Sequence, residues 1–471
     1  MLFNTFQFAV FFLAVMALHF ALPPRWRGAL LLAASYYFYM CWSVKYILVI
    51  LAITGIDFYA GQKIAQATGA RRRVYLALSI VCNFGLLFVF KYLDFFAGSF
   101  NTVFQHFNPF WQLPLLHLLL PVGISFHTFQ AVSYTFDVYR GKAPAERSLL
   151  KYALYVAFFP QMVAGPIERP NNLLPQFHRG TRFDYARVKS GLRTALWGLI
   201  KKAVVADLAS PAVTQVYGHP QSFSGVLLLL ATALFAVQIY CDFSGYSDIA
   251  IGTARMLGYD LMINFRQPYF ARSIGEFWQK WHISLSSWFR DYLYIPLGGN
   301  RVAAPRWYAN ILLVFLVSGL WHGASWTFVA WGALHGVYLI VGALHRKFTW
   351  LPRLPALGQV LVTDALVTVA WVFFRAQSLR DALYILTHLF RFGGFHLENL
   401  FSVGLPRFEM TFLFFAIATV FVVEYLRLHP PERGRALWRR RGWRWAIYAA
   451  GVYAVVFFGV FERVEFIYFQ F

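Results

Sequence analysis

Residues 307–344 form a run of 38 positions without an Asp, Glu, Lys or Arg. Built as one α-helix, the run would be about 57 Å long, nearly twice the roughly 30 Å hydrocarbon thickness of a bilayer. The chain must therefore turn within it, and the Gly- and Ser-bearing stretch 318–325 is the predicted break. That break sets His322, between Trp321 and Gly323, near the middle of the membrane. Non-helical backbone at such depth is tolerated only where protein buries it or where it lines a cavity.

The rest of the chain repeats the theme. Of 471 residues, 59% are hydrophobic and only 13% charged, against about 25% charged in a soluble globule. The same arithmetic excludes disorder, which needs a chain poor in apolar and aromatic residues. Further apolar runs occupy 2–22, 28–42, 46–60, 74–90, 113–134, 149–164, 223–241, 360–374, 412–425 and 445–461. The expectation is an all-α polytopic membrane protein with about 10–13 transmembrane or re-entrant helices. Run 2–22 lacks a basic lead-in and a small-residue cleavage site, so it is expected to be a retained first span. No repeat or long polar tract appears, which predicts one membrane domain over 1–471, its catalytic core at about 115–345.

The formal charge of +22 would suggest nucleic acid in a soluble protein. Here the basic residues cluster between apolar runs: Arg25 with Arg27, Arg71 to Arg73, Lys201 with Lys202, Arg346 with Lys347, and the stretch 433–444. That is the pattern of cytoplasmic loops facing anionic lipid head groups, and nucleic acid is not an expected partner. Cys41, Cys82 and Cys241 lie far apart, without metal-ligand or disulfide spacing.

Candidate chemistry centres on two histidines. His322 is an ionisable group deep in an uncharged stretch, which is costly to keep without function. A neutral imidazole there can act as a general base, and the alternative is a hydrogen-bonded core histidine. His282 follows Trp281 and precedes a serine-rich helix, so it is a second catalytic imidazole, an orienting group or an interfacial side chain. His127 and His335 are weaker candidates, the latter coupled to His322 only by tertiary contact. His19, His106, His117, His345, His388, His396 and His429 are expected at interfaces. Between 243 and 301, polar and aromatic residues mingle where no full span fits, predicting short interfacial or re-entrant helices. Arg290 and Asp291 are expected to form an internal ion pair. The sequence has no Gly-x-Ser-x-Gly elbow, phosphate loop, dinucleotide fingerprint or His-Glu-x-x-His helix, and no metal site is expected.

Seven strings in order carry a resemblance: LPVGISF at 120–126, FPQMVAGPI at 159–167, YCDFSGYSD at 240–248, WQKWHISLS at 278–286, RDYLYIPLGGNR at 290–301, GLWHG at 319–323 and FIYFQF at 466–471. Together they resemble the membrane-bound O-acyltransferase (MBOAT) superfamily, in its bacterial polysaccharide O-acetyltransferase branch. The resemblance covers nearly the whole chain. It implies a helical bundle around a central funnel or tunnel in the inner membrane, with His322 as the family's histidine and His282 as the second polar position. It implies no permanently bound cofactor. Acetyl-CoA would be the cytoplasmic acyl donor, and the acceptor an extracytoplasmic polysaccharide such as alginate, cellulose or peptidoglycan. The acetyl group would pass directly or through an extracytoplasmic acetyltransferase or polysaccharide-export partner. Two rival readings stay open: a D-alanyl transferase for teichoic acid fed by a carrier protein, and a transporter or flippase, whose broken midplane helices look alike.

Overall fold

The computed structural model describes residues 1–108, 110–162, 165–348, 354–391, 393, 401, 403–430, 440–461 and 466–467. Parts of three sequence features therefore lie outside the described residues: Val163 and Ala164, most of the basic stretch 433–444, and positions 468–471. The chain is helical, with no strand among the described residues. Among the described residues, six helices are long and apolar enough to cross a membrane: Ile47–Gln66, Ala70–Phe104, Gly225–Met256, Trp326–Phe348, Ala356–Arg375 and Arg407–Leu428. Phe6–Ala21 is apolar but shorter.

Burial sorts these helices into layers. The apolar window of Gly225–Met256 is 72% buried within the protein and that of Ala70–Phe104 only 17%, so the first is the central pillar and the second a peripheral, lipid-facing one. Helix Tyr185–Leu199 lies against the pillar where Gly191 meets Gly252 and Gly198 meets Gly245. A Cβ at any of the four would strike backbone across the interface, so glycine sets the spacing. The string 240–248 thus belongs to a long buried helix, where the sequence suggested short interfacial ones. The expectation of short helices holds further on, at Ile274–Lys280 and Ile283–Phe289.

Two predicted spans are interrupted. Within 149–164 the chain forms Leu149–Ala157 and Phe159–Met162, and the Ser35 hydroxyl accepts the Phe159 N–H at 3.0 Å. Within 113–134, helix begins only at Ile124. The preceding non-helical stretch is bound to helix Ala70–Phe104 by side chains. Asp94 accepts the N–H groups of Leu116 and His117 at 2.8 Å each, and Asn101 brackets Leu113.

Lys201 and Lys202 correct the reading of the charge pattern. They are buried in a π-helical segment, Ile200–Ala206, rather than exposed on a loop. Lys201 Nζ lies 2.7 Å from Asp248, and Lys202 Nζ lies 2.6 Å from Asp207 and 2.7 Å from Asp242. Both extremities of the chain meet this cluster: Asn4 donates to Asp207 at 3.3 Å, and the Ile467 N–H donates to Asp242 at 2.9 Å. The Ala203 carbonyl, within the π turn, accepts the Val460 N–H at 3.0 Å. His19, expected at an interface, is also fully buried, with Nε2 2.9 Å from the Thr181 hydroxyl.

Candidate active site

The uncharged run folds as a hairpin of two nearly complete helices, Ala304–His322 and Trp326–Phe348. Gly319 and Gly332 let them touch backbone to backbone, since a Cβ on either would overlap a carbonyl of the other helix. The predicted break within 318–325 is therefore real, and it is a turn at 323–325. His322 stands at the end of the first helix, roughly 27 Å of rise from its start. Its burial, with 3% of its surface exposed, comes from protein packed around the turn. Trp321 and Trp331 set their rings edge-on to the imidazole at 5.0 Å each, and Phe374 closes a third side at 5.5 Å.

His282 is brought to the same place. Its ring centroid is 6.4 Å from that of His322, and it is fully buried. It precedes helix Ile283–Phe289 in a left-handed conformation, φ 42° and ψ 54°, a strained state for a residue with a Cβ. Asn264 holds that conformation. Its carbonyl oxygen on the backbone accepts the Ile283 N–H at 2.9 Å, and its side-chain Oδ1 faces His282 Nδ1 at 3.1 Å. The same Oδ1 accepts the Ser284 N–H at 3.3 Å and the Ser284 hydroxyl at 2.9 Å, while Nδ2 donates to Ser247 at 3.1 Å. An oxygen already accepting a backbone N–H leaves Nδ1 of His282 as the donor. In the neutral ring Nε2 then carries the lone pair, and it is buried without a hydrogen-bond partner among the described residues.

A third element completes the site. Helix Ala70–Phe104 passes through a π-helical segment at Phe88–Tyr92, a form of backbone that recurs at functional sites. From it Lys91 Nζ donates to the carbonyls of Trp321 at 2.8 Å and His322 at 3.0 Å, and the Tyr92 hydroxyl donates to Leu320 at 2.9 Å. These are the last carbonyls of helix Ala304–His322, where a cation is favoured by the helix dipole. Lys91 and Asn264 were absent from the sequence reading; a lone lysine at the end of an apolar run was the available signal.

Of the weaker candidates, His335 joins the site indirectly. It lies one turn beyond Trp331, its ring 4.9 Å from that indole, and accepts the Trp278 indole N–H at 3.3 Å. His127 faces elsewhere, with Nδ1 bonded to the Val156 carbonyl at 3.1 Å. Arg290 and Asp291 do pair, at 2.8 Å, but Arg290 is 63% exposed, so the pair is not internal.

Two cavities lie near the site, the first lined by His322 and the second by neighbours of the histidine pair. The first, about 350 Å³, is lined by Trp42, Lys91, residues 119–126, Trp321 and His322. The second, about 510 Å³, has Arg290, Arg346, Tyr294 and Trp307 along it and reaches Ile283, Leu285 and Ser318. Ile283 adjoins His282, and Ser318 lies one turn before His322. Arg290 and Arg346 are the basic residues among the second cavity's described lining, and further basic side chains lie near Arg290. Arg72 donates to Tyr139 at 2.7 Å, Arg140 to the Asp291 carbonyl at 3.1 Å, and Trp307 to the Tyr294 hydroxyl at 2.8 Å. Trp42, on the first cavity, sits at the far end of helix Pro24–Met40 from Arg25 and Arg27.

Comparison with known proteins agrees with this architecture. Residues 76–377 match the family described as MBOAT, membrane-bound O-acyltransferase family. The chain is 39% identical to the probable alginate O-acetylase of Azotobacter vinelandii, over 90% of this chain and 84% of that one. It is 36% identical to the peptidoglycan O-acetyltransferase of Helicobacter pylori, over 85% and 82%. Likeness to the teichoic acid D-alanyltransferase of Bacillus subtilis is lower, 25% over 64% and 81%. Helical hairpin, buried histidine pair and extended similarity converge on one statement: the chain belongs to the membrane-bound O-acyltransferase family and is an O-acyltransferase of the membrane.

Proposed function

We propose that this protein, in the inner membrane, moves an acetyl group from a cytoplasmic thioester, acetyl-CoA, to a hydroxyl of an extracytoplasmic polysaccharide, directly or through an extracytoplasmic partner protein. The observation that carries the reading is the buried pair His282 and His322, 6.4 Å apart, with His322 on the wall of the first cavity and the second cavity reaching Ile283 and Ser318 beside them. Arg290 and Arg346 on the second cavity support a cytoplasmic placement for its mouth, by the excess of basic residues on that side of membrane proteins. Arg290 and Arg346 there suit the phosphates of coenzyme A. The relatives described as alginate O-acetylase and peptidoglycan O-acetyltransferase support acetyl as the acyl group and polysaccharide as the acceptor class.

In this reading His322 is the general base. An acceptor hydroxyl entering the first cavity gives its proton to the imidazole as its oxygen adds to the thioester carbon. The tetrahedral intermediate then expels the thiolate, which takes the proton back. His282, oriented by Asn264, offers an acceptor nitrogen beside the reacting groups. Such proton transfer contributes about 10²–10⁴ in rate. The test is inside-out membrane vesicles supplied with radiolabelled acetyl-CoA. Base-labile label in the polysaccharide, lost in His322→Ala with normal protein levels, supports the reading. Full label with His322→Ala, or dependence on an aminoacyl carrier protein, overturns it.

A further inference from the structure

We propose that Lys91 is a catalytic residue of this transfer, its ammonium donating to the acyl oxygen that becomes negative in the tetrahedral intermediate; the proposal rests on the reading of His322 as base. An ammonium has three N–H donors. Two are spent on the Trp321 and His322 carbonyls, and the third is left on a side chain that lines the first cavity together with His322. Apart from His322, Lys91 is the one ionisable side chain among that cavity's described lining residues.

Holding the helix end does not call for a charge. Tyr92 already donates from the same π-helical turn to Leu320, and the Gly323 N–H donates to Gly319 at 3.2 Å. A neutral amide would serve the two remaining carbonyls. Withdrawing a half-buried ammonium partly from water carries a cost of its own, which the carboxyl end of the helix offsets in part. What a charge adds over a neutral donor is attraction to negative charge, and the reaction develops one within reach of His322. As the C–O bond forms, the carbonyl π pair moves onto the acyl oxygen opposite Lys91. When the C–S bond breaks, that pair returns, the thiolate takes the imidazolium proton, and Lys91 ends with the protons it began with. A fixed donor aimed at a developing oxyanion is worth about 10²–10³ in kcat.

The informative variant is Lys91→Gln, which keeps two N–H donors for the two carbonyls and removes the charge. In the vesicle assay, with acetyl-CoA varied, the expected result is a kcat lower by about 10²–10³ with KM for acetyl-CoA within about threefold. Lys91→Arg should recover part of the loss, and added methylammonium should partly rescue Lys91→Ala. A Lys91→Gln kcat within about threefold of the parent overturns the proposal. So does a loss that appears wholly in KM, or one that neither Lys91→Arg nor methylammonium relieves. His322→Ala, run alongside, separates the two ideas: if it is inactive while Lys91→Gln is unaffected, only the role of Lys91 falls, and if it is active, the reading of His322 falls first.

Discussion

Replacing Lys202 by methionine keeps the volume of the side chain and removes its charge between Asp207 and Asp242. Lys202 and both carboxylates are at most 4% exposed as side chains, so water cannot take over from the ammonium. Removing one partner of a buried ion pair costs about 3–5 kcal/mol, because the partner is stranded in a medium that solvates it poorly. Here two carboxylates are stranded, each left with one hydrogen bond, from Asn4 to Asp207 and from Ile467 to Asp242. The upper end of that range is expected. Lys280→Met is the comparison: Lys280 and Glu276 pair at 2.7 Å four residues apart, but at 21% and 34% exposure, where such a pair is worth about 0.3–0.5 kcal/mol. Reversible unfolding in mixed micelles, followed by tryptophan fluorescence as denaturing detergent is added, measures both. A Lys202→Met cost no larger than that of Lys280→Met would refute the reasoning. Adding Asp207→Leu and Asp242→Leu should recover much of the loss, since an all-apolar replacement strands nothing.

Three further outcomes follow from the site. His322→Ala should lower acetyl transfer by about two to four orders of magnitude without changing the elution profile of the purified protein, measured as base-labile label per mole of enzyme. Asn264→Leu removes the side-chain oxygen that fixes the His282 tautomer while leaving the main-chain bond to Ile283, and should reduce kcat by at least about tenfold; combined with His282→Ala it should add little, because the two act as one unit. Gly319→Ala drives a Cβ into the Phe328 carbonyl and should part the hairpin, costing about 1–3 kcal/mol in the micelle unfolding assay, whereas Gly55→Ala, which meets nothing, should be nearly neutral.

The sequence disclosed what depends on local pattern. A charge-free run too long for one helix located the hairpin turn and His322, and the adjoining tryptophan string located His282. It did not disclose what depends on pairing across the chain. Lys201 and Lys202 look like a loop cluster because their counter-charges Asp242 and Asp248 arrive from another helix some forty residues on. Asn264 has no motif around it, and its role exists only once its two carbonyl oxygens bracket His282. Lys91 is invisible for a related reason: its acceptors are carbonyls, which every residue carries, on a helix end 230 and 231 positions away. Nor does a residue pattern distinguish a π turn from α-helix, and so Phe88–Tyr92 and Ile200–Ala206 were unanticipated.

The meeting of Asn4, Asp207, Lys202, Asp242 and Ile467 also imposes an order in time. A ribosome inserting this chain completes helix Gly225–Met256 more than two hundred residues before Ile467 emerges to bond Asp242. Through that interval the buried carboxylate has its ammonium and lacks its amide. Contacts of such long sequence separation form late and slowly. Until then the central pillar carries a carboxylate short of one of the donors it has in the folded protein, and the bond from Ile467 closes that gap.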